Sequence, residues 1–305
     1  MKRRDLLSAA VGGAAAGALP TLAMAANAPA AVASNGAPKV FRWAINFAET
    51  GFDPAQISDL ASNYVVSHIF ESPLQYDFLA RPAKIKPRTA VAMPEVSDDF
   101  RTFTLRIRPG IFFQDDPAFG GKQRELVAAD HVYQIKRVAD PRWKSPLWPS
   151  LEASGILGLA ELRKAALAPG GRFDYDREIE GLRVLDRFTF QVRLAQPSPR
   201  FHENFTDARI TGAVAREVVE AYEKEIMGKP VGTGPFRLVS WTRASSMMLE
   251  RSPSFRDVFY DAEPAADDAH GQAILKRLKG RKLPMVDRVE LSIIQESQPR
   301  WLSFL

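Results

Sequence analysis

The 305-residue chain contains no cysteine. That excludes disulfides, thiolate catalysis and any Cys-based metal site, and it removes the residue to which a lipoprotein attaches its lipid. Histidine is almost as scarce. His68, His131, His202 and His270 are scattered, and none has the His-Glu-x-x-His spacing by which one helix face offers two imidazoles to zinc. No metal site is expected. A Gly-x-Ser-x-Gly elbow is also lacking. The glycines of Lys229–Gly234 invite comparison with a phosphate loop, but the Gly-Lys-Ser/Thr ending is missing and Pro235 removes one amide donor. The acid pairs Asp98-Asp99 and Asp115-Asp116 fall in turns, where neighbouring carboxylates are solvated. An enzyme is therefore the weaker reading, and neither a catalytic residue nor a cofactor is expected.

Excess charge is small as well. The formal net charge is +5, and Lys2, Arg3, Arg4 and Asp5 supply +2 of it (three bases less one acid), leaving +3 for the rest. No basic stripe is interleaved with aromatics, so nucleic acid is not an expected partner. The Ala/Gly-rich run from Ser8 to Ala26 is broken by Gly12, Gly13, Gly17 and Pro20, which makes it a poor permanent membrane span. Paired arginines precede it in Met1-Lys2-Arg3-Arg4-Asp5-Leu6-Leu7, and Ala23-Met24-Ala25 is a small-x-small cleavage site. Residues 1–25 thus read as a cleaved export signal of the twin-arginine type, followed by a flexible tether at 26–37 and a mature protein released into the periplasm without a lipid anchor.

What remains is 46% hydrophobic and 25% charged over the whole sequence, enough apolar material for one full core and for two lobes. Val40–Asn46 reads as a strand, followed by a loop with Asp53-Pro54 and a helix capped by Ser58, with Leu60, Tyr64, Val65, Ile69 and Phe70 at helical spacing. Glu71-Ser72-Pro73 stops it before a short strand at Leu74-Gln75-Tyr76. Thr102–Arg108 alternates apolar and polar residues as a half-buried antiparallel strand does. A helix opens at Ala128-Ala129-Asp130 and ends at Asp140-Pro141. Leu151–Ala166 and Arg216–Met227 read as further helices, and residues 179–184 and 188–194 as a hairpin. Late in the chain, Gly232-Thr233-Gly234-Pro235 feeds strands at Phe236–Val239 and Met247–Glu250, then the loop Ser252-Pro253-Ser254-Phe255-Arg256.

That last stretch resembles the signature of the family-5 extracellular solute-binding proteins, the peptide- and oligopeptide-binding components of ABC transporters. The opening series (strand, Asp-Pro loop, helix, Phe70-Glu71, Leu74-x-Tyr76) and the strand pair leading to Ala128-x-Asp130 follow the same order. Pro117–Glu125 departs from the family as a longer insertion. The resemblance implies an α/β fold of the periplasmic-binding-protein type II kind, with a mixed-sheet lobe carrying an inserted β-meander subdomain. It implies a first lobe at 38–255 with the insert at about 86–178, and the start of a second lobe at 256–305, reached by a strand at Val289–Ile294 and truncated there. Apolar groups from Val289 to Leu305 are then expected at the surface. The implied function is capture of peptides or a similar polar solute for ABC permease subunits, by a protein that is monomeric at full length. The alternatives are a truncated remnant or interaction protein without tight binding and, behind it, a soluble periplasmic hydrolase.

In open α/β lobes the ligand cleft lies beyond the carboxyl ends of the strands. That singles out Asn46, Phe47, Ala48 and Glu49, where backbone groups can pair with an extended peptide. The stretch Asp140–Trp148 resembles one that skirts the cleft in peptide binders, so Trp143 and Trp148 are expected as an apolar wall.

Overall fold

The computed structural model describes residues 37–303. The expected export signal and all of the tether except Ala37 lie outside the described residues. From Pro38 onward the chain forms one compact unit.

The first strand, β1 (Val40–Ile45), runs into a loop and then helix α1 (Leu60–Ile69). Asp59, rather than Ser58, caps this helix, its carboxylate accepting from the Ser62 amide at 2.7 Å. A short ribbon follows, β2 (Leu74–Tyr76) with β3 (Ile85–Pro87). Next come β4 (Glu95–Val96), β5 (Thr102–Arg106) and helix α2 (Ala128–Ala139). Almost every side chain of α2 is buried, which marks it as a central helix covered on all sides. Asp130 in its first turn accepts from the Val127 amide at 2.8 Å, satisfying a donor the helix itself cannot.

The single helix expected over 151–166 is instead two, α3 (Trp148–Ala153) and α4 (Leu159–Leu167). Gly155 and Gly158 separate them with φ of 71° and 79°, a left-handed backbone that ends one helix and aims the next. Strands β6 (Leu182–Asp186) and β7 (Thr189–Arg193) then complete an antiparallel sheet in the order β4-β5-β7-β6. Because β7 pairs with β5 from Thr102↔Arg193 to Arg106↔Thr189, the inserted meander runs past the expected limit near 178. Helix α5 (Ala208–Thr211) and helix α6 (Arg216–Ala221) follow; the latter is half as long as expected, and the chain resumes as a 3-10 turn at Ile226–Gly228.

The closing segment contains hairpin β8 (Phe236–Thr242) and β9 (Ser246–Arg251), ribbon strand β10 (Val258–Phe259), helix α7 (Ala269–Leu278), ribbon strand β11 (Lys282–Leu283), β12 (Arg288–Ile293) and helix α8 (Ser297–Leu302). β12 is parallel to β1, from Val40↔Arg288 to Ile45↔Ile293, and antiparallel to β9. The mixed sheet is therefore β1-β12-β9-β8. The strand expected to lead away toward a second lobe is an inner strand of the first sheet, because only there are both its edges paired. Leu291 is accordingly buried, and among the described residues from Val289 onward the large apolar side chains that stand exposed are Trp301 and Leu302. No described helix is long and apolar enough to cross a membrane.

Candidate functional site

Beyond the carboxyl end of β1, Asn46 is exposed and Phe47 half-buried. Phe47 leans on Tyr64 of α1, ring centroids 6.5 Å apart, and Tyr64 also meets Trp43 at 4.8 Å. Glu49 is buried. Its Oε1 accepts from Trp241 Nε1 at 2.6 Å and from the Ala244 amide at 2.8 Å. Ala244 sits at φ 53° in the tip of the β8–β9 hairpin, so Glu49 stabilises a turn that a side chain disfavours. The tip is bonded on its other side too, Ile293 N donating to Ser245 O at 2.7 Å. Glu49 Oε2 is buried without a partner.

The loop is tied to α1 as well. Thr50 N donates to Ser62 Oγ at 3.0 Å and Thr50 Oγ1 to Asp59 Oδ2 at 2.6 Å. Burial works against the charged form of Asp59, and the hydrogen bonds from Thr50 and Ser62 outweigh it, so the carboxyl lies below its ordinary range. Asn46, Phe47 and Glu49 thus share one loop braced by a helix N-terminus and a hairpin tip, an arrangement that holds backbone groups in place at a sheet end.

The two tryptophans are not part of that surface. Trp143 is buried, and its Nε1 donates to Tyr175 Oη at 2.9 Å, which donates in turn to Asp140 at 2.7 Å. The Arg137 guanidinium lies 4.4 Å from its ring centroid. Trp148 is also buried, under Arg163 at 4.8 Å. Their faces are occupied by the protein's own cations, so neither forms the expected exposed apolar wall. Trp143 connects to the β1 loop only through intermediates: Trp241 meets Phe52 at 4.9 Å, and the neighbouring Asp53 is paired with Arg137.

That Asp53–Arg137 pair went unread in the sequence. It is bidentate, with Nη1–Oδ1 at 2.7 Å and Nη2–Oδ2 at 2.9 Å, and both side chains are wholly inaccessible. Burial disfavours the guanidinium charge, but Asp53 outweighs it and holds Arg137 above its ordinary value. An arginine inside helix 128–139, together with an aspartate in an Asp-Pro loop, was the available signal; nothing in their spacing of 84 residues said that they meet.

The signature residues converge on Glu71. Its carboxylate accepts from Arg88 Nε at 3.1 Å, from both Arg256 Nη atoms at 2.7 and 3.0 Å, and from Thr233 Oγ1 at 3.0 Å. Burial raises the Glu71 pKa, and the two arginines with Thr233 more than reverse it. Gly232 and Gly234 flank Thr233 so closely that a Cβ at either would overlap the carbonyl oxygens of Ile69 or His68. The Gly-Thr-Gly-Pro turn is therefore glycine-rich to let the backbone lie against the end of α1, and Gly234 N donates to Ile69 O at 2.8 Å. Its role is structural, with no phosphate cradle.

His131 is buried against Phe190, its Nδ1–H donating to Thr211 O at 2.7 Å while Nε2 has no partner. Burial lowers its pKa to about 4. Among the described residues no three His, Cys, Asp or Glu side chains are grouped to hold a metal ion.

A mixed sheet bearing an antiparallel meander, with a braced loop at a strand's carboxyl end, places the chain among α/β binding-protein lobes. Similarity makes this specific. Residues 84–305 match the middle region of the bacterial extracellular solute-binding proteins, family 5; that is well over half of the chain, which therefore belongs to this family. It is 26% identical over 207 residues to the periplasmic oligopeptide-binding protein OppA of Salmonella typhimurium, covering 67% of this chain and 34% of that protein. It is likewise 26% identical over 202 residues to the glutathione-binding protein GsiB of Escherichia coli K12, covering 66% and 32%. The fold is that of a peptide complex of Haemophilus influenzae OppA (TM-score 0.65, 18% identity, 88% of this chain and 44% of that one). It also matches the periplasmic binding protein DppA of Helicobacter pylori in complex with a peptide (TM-score 0.61, 19% identity, 87% and 44%). The chain spans about a third of the length of the curated relatives it matches.

Proposed function

We propose that this chain is part of the periplasmic substrate-binding component of an ABC importer, capturing peptides or a similar polar solute for a membrane permease. The observation that carries the reading is the shared fold, over 87–88% of the chain, with proteins solved holding peptides. The first lobe, residues 38–255 together with the inner strand β12, presents the loop after β1 to the solute. Asn46 offers its amide and the adjacent backbone, Phe47 gives an apolar contact, and Glu49 sets the loop's geometry while keeping one uncommitted acceptor. Trp143 and Trp148 act from behind, as packing. The protein reaches the periplasm through a signal at 1–25 of the twin-arginine type, is cleaved before Ala26, carries no lipid, and works without a cofactor or catalytic step.

Two measurements test this. The polypeptide isolated from the periplasmic fraction is titrated calorimetrically with a library of two- to five-residue peptides. Saturable binding is expected, weakened at least fivefold by Asn46→Ala at unchanged melting temperature, and by Phe47→Ala under conditions where that variant stays folded; no peptide bound, or variants indistinguishable from wild type, refutes the peptide reading or the site. N-terminal sequencing should begin at Ala26, and replacing Arg3 and Arg4 by lysine should stop export. Retained Met1 sinks the signal assignment, and unchanged export of the lysine variant assigns the general secretory route.

A further inference from the structure

Helix α7 rests on the surface of the molecule. Gly271 is its one buried residue, and Ile274, Leu275 and Leu278 are half-buried. Those three share a stripe at helical spacing, while Lys276, Arg277 and Lys279 at the end of the helix are exposed. Gly280, at φ 74°, stops the helix, and the chain turns through exposed Arg281 and Lys282 into β11.

The turn brings an aromatic ring to these cations. Gly280 N donates to Tyr260 O at 3.0 Å and Tyr260 N to Arg281 O at 2.8 Å, which fixes β10 beside β11 with Phe259 opposite Lys282. Opposed residues of an antiparallel pair share a face, so Phe259 and Lys282 stand together on the outer side of the ribbon. Phe259 is 54% exposed. Val258 and Leu283, the next pair, are half-buried on the other side.

The charge here is not balanced within the protein. Lys282 pairs with Asp257, but Lys276, Arg277, Lys279 and Arg281 form no ion pair or side-chain hydrogen bond with a described residue. Exposed Asp261 follows Tyr260, which leaves a surplus of three (four cations less one acid). Glu263 is taken by Lys84. Asp267 and Asp268 lie at the opposite end of α7, about 16 Å from Lys279 at 1.5 Å per residue, beyond the screening length of about 8 Å in physiological salt. The helix dipole offers the equivalent of about half a charge, so it accounts for little of the surplus.

Unbalanced cations beside an exposed aromatic and a half-covered aliphatic stripe complement one kind of surface. A duplex phosphodiester backbone takes the cations but not the aliphatic groups, whereas a bilayer interface takes both. We propose that the end of α7 and the β10–β11 ribbon dock this protein reversibly on anionic phospholipid bilayers. Lys276, Arg277, Lys279 and Arg281 face the lipid phosphates, and Phe259 enters between the head groups. The docking surface is separate from the solute face at the end of β1 and does not depend on peptide binding.

The polypeptide isolated from the periplasmic fraction is sedimented with vesicles of equal parts phosphatidylglycerol and phosphatidylcholine, and with vesicles of phosphatidylcholine alone. Binding to the anionic vesicles is expected, falling as salt is raised. A cation near an anionic bilayer is worth about fivefold in affinity. Replacing Lys276, Arg277, Lys279 and Arg281 by glutamine together should therefore weaken binding at least a hundredfold, with circular dichroism confirming that the variant is folded. Phe259→Ser should weaken binding at least threefold and leave its salt dependence unchanged. No binding to anionic vesicles, equal binding to both vesicle types, or either variant binding as wild type would overturn the proposal. Tighter binding to duplex DNA at matched phosphate concentration would overturn it too, and would assign the surface to nucleic acid.

Discussion

Replacing Asp53 by alanine should be among the most damaging single changes in this protein. The substitution strands Arg137, whose side chain is wholly inaccessible, with the Gln134 Oε1 acceptor at 3.3 Å as its remaining side-chain oxygen partner and the Trp143 ring 4.4 Å away. Its Nε is already unpartnered. Breaking a buried pair by removing one member costs about 3–5 kcal/mol, because the remaining charge has neither water nor counterion. For a chain of this size each kcal/mol moves the midpoint by roughly 2–4 °C, so a fall of roughly 6–20 °C is expected. The companion variant removes both charges, Asp53→Leu with Arg137→Met, and should recover most of the loss, since apolar replacement of a buried pair is often neutral or better. Urea unfolding and thermal melting followed by circular dichroism measure both. A loss below about 1 kcal/mol for Asp53→Ala would refute the reasoning, for it would mean that Arg137 finds water and that the pair is not sealed in the core. A double variant no better than the single one would place the cost in packing rather than charge.

Glu71→Ala should cost a similar amount, about 3–5 kcal/mol, since it leaves the Arg88 and Arg256 guanidinium groups facing each other without the shared carboxylate; denaturant midpoints for Glu71→Ala and Glu71→Gln check it. Gly232→Ala should lose about 3 kcal/mol or fail to accumulate in folded form, because its new methyl meets the Ile69 carbonyl rather than a movable side chain, whereas alanine at the open, exposed Gly280 should cost far less; melting curves of the pair separate crowding from left-handed strain. His131 sets an acid limit. Burial depresses its pKa from 6.5 to about 4, so the unfolded chain binds the proton first: its contribution is complete above pH 6.5 and drains away as pH falls toward 4, by on the order of 3 kcal/mol. His131→Gln should flatten that part of the stability–pH curve, and an unchanged slope between pH 6.5 and 4 would remove His131 as its cause.

Several elements were legible in the chain because their causes are local. Alternation over residues 102–108, apolar spacing over 60–70 and the Asp140-Pro141 stop are local patterns, and the elements formed within them, ending at Arg106, Ile69 and Ala139. The order of motifs also carried the family, since the Gly-Thr-Gly-Pro turn and Phe70-Glu71 are adjacent in space and their residue types follow from that contact. Local pattern misled where backbone conformation overrode it. The apolar spacing over 151–166 continues through Gly155 and Gly158, but their left-handed backbone splits the helix into α3 and α4.

The sequence by itself determined several of the strands and helices, that no thiol chemistry is possible, and that the loop after β1 follows a strand's carboxyl end. Tertiary structure alone decided which charges meet. Asp53 finds Arg137 across 84 positions and Glu71 finds Arg256 across 185, and no periodicity records such a distance. It likewise decided that β12 is an inner strand beside β1, and that Trp143 and Trp148 face inward under arginines. An aromatic side chain reads the same in sequence whether it lines a cleft or fills a core. The difference is what packs on its other face, and that is set only when the whole chain has closed around it.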